Sequence, residues 1–320
     1  MMKCKSFLLL FFVLLAPLGC ASDASALNEQ FVSQVDIADA DYFIELDSLL
    51  VHYSDSAPGD DSLPVIILQH GFGGNLENFS YITDRLQQDF RVIALDRPPF
   101  GYSAKALPAD YAEINPYSPQ GQSRFALLLM DELGIDKAII LGHSAGGGAS
   151  LRLAANHPER VTALVLVAPA VEGRQIALPL RVLMSIPPMI WIGPAFVRRS
   201  FEGRNEFLER SVYEPQKISD EMRAQFSRGS QIKAWDKALW YYTIGARRTD
   251  WEPLAQGLTM PVLVITGDSD QIIAPELSAA VHAQIPDSQL VVMPQTGHIP
   301  FQERPGEFLA VLNDWFSGLD

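Results

Sequence analysis

Short apolar runs recur along this chain, and stretches of helical length separate them. Residues 65–69, 91–95, 137–141 and 161–168 each read as a buried strand, as do 262–266 and 289–293. Between them, residues 76–88, 118–133, 147–157, 275–285 and 305–316 read as helices. An antiparallel pair is expected at the start, 42–46 with 49–53, turning at Asp47-Ser48. Strands that alternate with helices predict a mostly parallel sheet covered on both faces. In the last helix Phe308, Leu312 and Trp315 fall on one face, and Pro305 suits the first turn.

The rhythm breaks between residues 171 and 251, where no strand signal recurs. Residues 176–197 are rich in large apolar side chains, punctuated by Pro179, Pro187, Pro188 and Pro194. Residues 219–246 read as one helix carrying Trp235, Trp240, Tyr241 and Tyr242. Most of these apolar residues are expected to pack onto the core. Some, especially in 176–197, are expected to line a pocket and set its chain-length preference.

The amino terminus reads differently. Lys3 and Lys5 form a basic start, residues 7–16 are unbroken apolar, and Pro17 and Gly19 follow. That order is an export leader, and its apolar run is too short to span a bilayer. Two exits stay open. Ala24-Ser25-Ala26 offers a cleavage site, whereas Leu18-Gly19-Cys20 resembles the end of a bacterial lipoprotein signal, which would leave a lipidated Cys20 on the membrane. The expected organisation is a leader at 1–26 (or 1–19 with a short tail), a core from 27–170 and 252–320, and a helical insertion at 171–251. Both cysteines, Cys4 and Cys20, lie in the leader region, so the folded part has no pair for a disulfide. Net charge is −14, from 24 basic and 38 acidic residues. Such a balance disfavours nucleic acid and anionic membranes as partners. None of the six histidines has the spacing of a zinc site, so no metal is expected.

Candidate chemistry centres on Gly142-His143-Ser144-Ala145-Gly146, which sits between a strand and a helix. A strand turning sharply into a helix holds its apex residue in a strained conformation, and flanking glycines leave room for it. Amides at the start of the helix favour an oxyanion there. Ser144 is therefore the candidate nucleophile. A serine needs a base, and the base needs an orienting acid. Both are available downstream on loops that leave strands: Thr266-Gly267-Asp268-Ser269-Asp270 and Pro294-Gln295-Thr296-Gly297-His298. His298 is the candidate base. His70 is expected to brace its loop, His143 to pack below the elbow, and His157 to end a helix. His52 and His282 have no partner spacing and are expected on the surface or a strand face.

From Leu46 to Phe316 the chain resembles the α/β-hydrolase superfamily of serine esterases, lipases and carbon–carbon bond hydrolases. The elbow, the order Ser, Asp, His, and two further segments carry the likeness. Residues 65–74, ending His70-Gly71-Phe72-Gly73-Gly74, resemble the strand and loop that supply half of an oxyanion hole. Residues 92–103 resemble the Asp-x-Pro-Gly-x-Gly-x-Ser segment, with Pro99 where glycine is common. The resemblance implies an α/β-hydrolase fold with an inserted helical cap. It implies a triad of Ser144, Asp270 and His298, with Asp268 the alternative acid. It also implies that the amides of Phe72 and Ala145 bind the oxyanion, with no cofactor. The implied reaction is hydrolysis of a small ester with an apolar part. Carbon–carbon hydrolysis of ring-cleavage diketones, cofactor-free perhydrolysis and a non-enzymatic binding role are the rivals.

Overall fold

The computed structural model describes residues 41–173, 176–202 and 204–319. The leader, Cys4, Cys20 and Ala24-Ser25-Ala26 lie outside the described residues. The described residues begin with strands β1 (Asp41–Leu46), β2 (Leu49–Asp55) and β3 (Val65–Gln69), then helix α1 (Ser80–Leu86). Strand β4 (Arg91–Leu95), helix α2 (Pro119–Glu132), strand β5 (Ala138–His143), helix α3 (Ala145–Asn156) and strand β6 (Val161–Val167) follow. Helices α4 (Leu178–Met184), α5 (Met189–Glu202), α6 (Arg204–Ser211), α7 (Asp220–Ser227) and α8 (Trp235–Gly245) are inserted next. The chain ends with α9 (Glu252–Gln256), β7 (Val262–Gly267), α10 (Pro275–Gln284), β8 (Gln289–Met293), α11 (Pro300–Glu303) and α12 (Pro305–Phe316).

Eight strands among the described residues form one sheet in the order β1-β2-β4-β3-β5-β6-β7-β8. β1 pairs antiparallel with β2, and β2 antiparallel with β4; every later pairing is parallel. Side chains alternate across a strand, so the apolar runs feed both faces. Ile67, Ile93, Ile140 and Val264 pack on one face with Phe125, Leu129 and Met130 of α2. Ile66, Leu68, Leu141 and Ile265 pack on the other with Ile82 of α1 and Phe308, Leu312 and Trp315 of α12. Burial on both faces is why the central strands read as continuous apolar runs rather than alternating ones. Their parallel order gathers the loops at the carboxyl ends of the strands on one edge, where an open α/β sheet builds its site.

Two predicted helices are broken in the structure. Residues 76–88 divide into a 3₁₀ turn, Leu76–Phe79, and α1. Asn75 caps that turn by accepting from the Glu77 amide. Residues 219–246 divide into α7, a 3₁₀ turn at Arg228–Gln231, and α8. Ser219 caps α7 by accepting from the Met222 amide. Gly229 lies against the backbone of Gly101, where an added Cβ would come within 3.1 Å of the Gly101 nitrogen. Ala234, at φ 66°, starts α8 in a new direction. Glycine and a left-handed residue, both costly within a helix, set the break.

Candidate active site

Ser144 joins β5 to α3 at φ 52° and ψ −118°, a conformation that a non-glycine residue adopts only when its surroundings enforce it. Three backbone bonds enforce it here. The Ser144 amide donates to the Val167 carbonyl at 2.8 Å, and its carbonyl accepts from Ala170 at 2.9 Å and Gly148 at 3.2 Å. The flanking glycines answer to space as well. A Cβ on Gly146 would strike the carbonyls of Gln69 and His70, and one on Gly142 would strike Ser150 and the Gly146 carbonyl. The first turn of α3 therefore lies directly on the end of β3. A Cβ on Gly71 would lie 3.0 Å from the Ser144 Cβ, so the β3 loop reaches the elbow itself. Ala145 is the first residue of α3, and its amide has no carbonyl of its own helix to meet.

The loops that carry Asp270 and His298 meet beside this elbow. His298 Nδ1 and Asp270 Oδ2 are 2.7 Å apart, and both side chains are almost wholly buried. The other Asp270 oxygen accepts from the amides of Ile272 and Ile273, at 2.8 and 2.9 Å, which fixes the carboxylate plane. Asp268 does something else. It is exposed and accepts from the Ser269 hydroxyl and the Thr296 amide, and those bonds hold its carboxyl below the usual range. The structure thus brings Asp270, not Asp268, to His298.

His143 ties the parts together. It precedes Ser144, and its Nε2 donates to the His298 carbonyl at 2.9 Å. Burial, reinforced by neighbouring His298, pushes its pKa well down and keeps it neutral. His70 braces the β3 loop. Its Nδ1 donates to the Gly71 carbonyl at 2.7 Å, and its Nε2 accepts from the Arg97 amide at 3.0 Å. Complete burial, with Arg97 beside it, lowers its pKa to about 3, so this bracing survives over the neutral range. His52 lies on strand β2, one of the two places expected for it, but it is not without partners. It is buried, with Nδ1 2.8 Å from Asp96 Oδ2 and Nε2 3.4 Å from Asp41 Oδ2. No spacing rule reveals that contact, because the three residues come from two strands and a loop.

A cavity of about 660 Å³ opens beside the elbow, with Phe72, Ala145, Val171, Tyr242, Ile273 and Leu277 among its walls. None of residues 176–197 lines it. Leu180, Val182, Leu183, Ile186, Trp191, Ile192 and Phe196 instead face outward. The insertion meets the cavity through its two ends, at residues 171–173 and along α8 and the residues after it, and α8 lays Tyr242 against Phe72 and Phe100, with ring centroids 5.9 and 5.1 Å apart.

Residues 64–305 match the sequence profile of the alpha/beta hydrolase fold family. The chain belongs to that family, and it is a hydrolase. Lipase 3 of Moraxella sp. (strain TA144) is 28% identical over 262 residues, which are 80% of this chain and 77% of the lipase. The 2-hydroxymuconate semialdehyde hydrolase of Pseudomonas sp. (strain CF600) is 28% identical over 265 residues, 80% of this chain and 87% of that one. The crystal structure of a probable hydrolytic enzyme from Pseudomonas aeruginosa PAO1 superposes with a TM-score of 0.68 at 25% identity, covering 87% of this chain and 95% of the other.

The sequence reading of this hydrolase gave Arg97 no role. Its guanidinium is buried, donates twice to the His70 carbonyl at 3.0 and 2.7 Å, and donates to Gln122 Oε1 at 2.6 Å. It also bonds the Tyr242 hydroxyl on α8. Arg97 therefore links the β3 loop to the insertion. The available signal was a charged residue inside the loop after β4, followed by two prolines.

Proposed function

We propose that the protein is an exported serine esterase acting on a small ester with an apolar part. The pairing of Asp270 with His298 beside the strained Ser144 elbow carries this reading. With Nδ1 held by Asp270, Nε2 is the imidazole nitrogen left for proton exchange. Ser144 Oγ attacks the ester carbonyl, and His298 takes its proton. Asp270 fixes the tautomer and stabilises the imidazolium. The amides of Phe72 and Ala145 bind the tetrahedral oxyanion, each worth about 3 kcal/mol in the transition state. Collapse expels the alcohol with the proton from His298. Water then repeats the sequence on the acyl-enzyme and releases the acid. Apolar walls at Val171, Ile273 and Leu277 suit an acyl chain.

A fluorophosphonate should label Ser144 and leave Ser144→Ala unlabelled, and Ser144→Ala should lose nearly all nitrophenyl ester turnover. Near-normal turnover by that variant refutes the mechanism. The second reading is hydrolysis of a carbon–carbon bond in a ring-cleavage diketone by the same residues, supported by the Pseudomonas relative. A substrate panel of esters and such diketones separates the two by relative kcat/KM. Export is supported by Lys3, Lys5 and the apolar run at 7–16. Intact-mass analysis of the mature protein distinguishes a lipidated chain starting at Cys20 from a plain one starting at Leu27. A mature chain that keeps Lys3 and Lys5 removes export.

A further inference from the structure

Helices α4 and α5 present an apolar surface that the fold leaves open. Trp191 is 74% exposed, the most exposed of the large apolar side chains in this face. Leu180, Leu183, Ile186, Ile192 and Phe196 are each roughly half exposed beside it. The inner side of α5 is accounted for: Gly193 lies flat on the Trp240 ring, where a Cβ would overlap the indole. The outer side has no such cover among the described residues. A contiguous patch of this kind is uncommon on a protein surface and marks an interaction site.

Charge says what covers it. The chain carries −14 overall, yet between Leu178 and Phe201 it has three arginines, Arg181, Arg198 and Arg199, and no acidic residue; Arg198 pairs with Asp236 of α8, so Arg181 and Arg199 carry the positive charge of this face. A shallow hollow of about 410 Å³ on α5 is lined by Ile192, Ala195, Phe196, Arg198 and Arg199. Apolar side chains next to guanidinium groups match an acyl chain below a phosphate. A face of Trp, Phe, Leu and Ile rimmed with arginine is the composition of a helix lying in a membrane interface. Among the described residues no single helix is long and apolar enough to cross a membrane, and α4 and α5 are bent by 98° at their junction, so the pair is read as lying on the surface.

We propose that the outward face of α4 and α5 docks on the surface of a bilayer containing anionic phospholipid. The acidic remainder of the molecule is repelled by that surface, so docking is oriented with the insertion down. Phe201, near the end of α5, stacks on Phe72 with centroids 6.5 Å apart. That contact puts the inner side of α5 beside the β3 loop, while the docked face lies on the opposite side of the helix, away from the cavity.

The test uses the exported protein with its own amino terminus and vesicles of phosphatidylcholine, with or without phosphatidylglycerol, carrying brominated acyl chains. Trp240, Trp251 and Trp315 are buried and Trp235 is half-buried against Phe201, so Trp191 is the most exposed emitter and Trp191→Phe isolates its share of the quenching. Brominated lipid should quench wild-type emission, more strongly with phosphatidylglycerol present, and Trp191→Phe should lose most of that quenching. Ile192→Glu combined with Phe196→Glu should weaken vesicle binding by about tenfold or more, a charge in the apolar layer being worth at least that. Arg199→Ala should weaken binding to the anionic vesicles alone. Turnover of a soluble nitrophenyl ester should stay unchanged in all these variants, which keeps the docking result separate from the esterase reading. Equal quenching in wild type and Trp191→Phe overturns the proposal. So does vesicle binding without Trp191 quenching, which assigns attachment to the amino terminus alone. A dimer in sedimentation equilibrium that Ile192→Glu dissolves also overturns it, because the face then belongs to a second copy.

Discussion

Asp268 and Asp270 lie two residues apart in one loop and do different work. Asp270 is buried with one oxygen on His298 and the other on two amides; Asp268 is exposed and holds the turn. Asp270→Asn should lower kcat by about 10³–10⁴-fold, since it leaves the geometry but favours the wrong tautomer. Asp268→Asn should cost less than about tenfold, and steady-state kinetics on one ester ranks the two. The reverse ranking moves the acid to Asp268. His52 gives a pH prediction. Burial alone lowers its pKa, but the carboxylates of Asp96 and Asp41 outweigh that and raise it from 6.5 to about 9. The folded protein thus holds more protons than the unfolded chain between these values. Stability from this cluster is complete below pH 6.5 and declines as pH rises to about 9. Urea unfolding should show His52→Gln less stable than wild type near pH 6, with the gap closing by on the order of 3 kcal/mol toward pH 9 and above. Lys105, lowered to about 7 by burial, titrates in both proteins and cancels in the comparison. A pH-independent gap shows that His52 stabilises by packing only.

At the scale of elements, the elbow is a contact between the start of α3 and the end of β3 as much as a turn. Gly146→Ala places a methyl against the carbonyls of Gln69 and His70, which are backbone and cannot rotate away. The helix must move off the sheet, carrying the Ala145 amide with it. The expected outcome is about 1–3 kcal/mol of destabilisation in urea unfolding, the usual cost of overpacking, with kcat falling more than the stability loss explains. Unchanged kcat places the oxyanion donors elsewhere. The elbow itself was legible, because Gly-x-Ser-x-Gly between a strand and a helix admits few conformations. The insertion was less so. Its lack of strands was visible, but the break inside 219–246 depends on Gly229 meeting Gly101, a contact that no local propensity encodes.

Over the whole molecule, the cavity sits between the sheet edge and α8, and the apolar stretch at 176–197 faces away from it. Chain-length preference should therefore follow the walls on the core side. Ile273→Ala should shift the optimum nitrophenyl ester to a longer acyl chain, one methylene being worth ~1–3 kcal/mol of discrimination. Ile192→Ala should leave the optimum where it is. A shift from Ile192→Ala returns 176–197 to the pocket.

Periodicity determined the sheet and its covering helices, because a strand buried on both faces must be apolar throughout and a helix apolar on one stripe. Motif and order determined Ser144 and His298 as candidates, because that chemistry tolerates few residue types at a strand end. Tertiary structure decided the rest. Which aspartate turns inward, the Asp41–His52–Asp96 cluster, the Arg97 link to Tyr242 and the outward face of α4 and α5 all join residues far apart in the chain. Local pattern says how apolar a segment is; only packing says whether that surface meets the core, the cavity or the solvent.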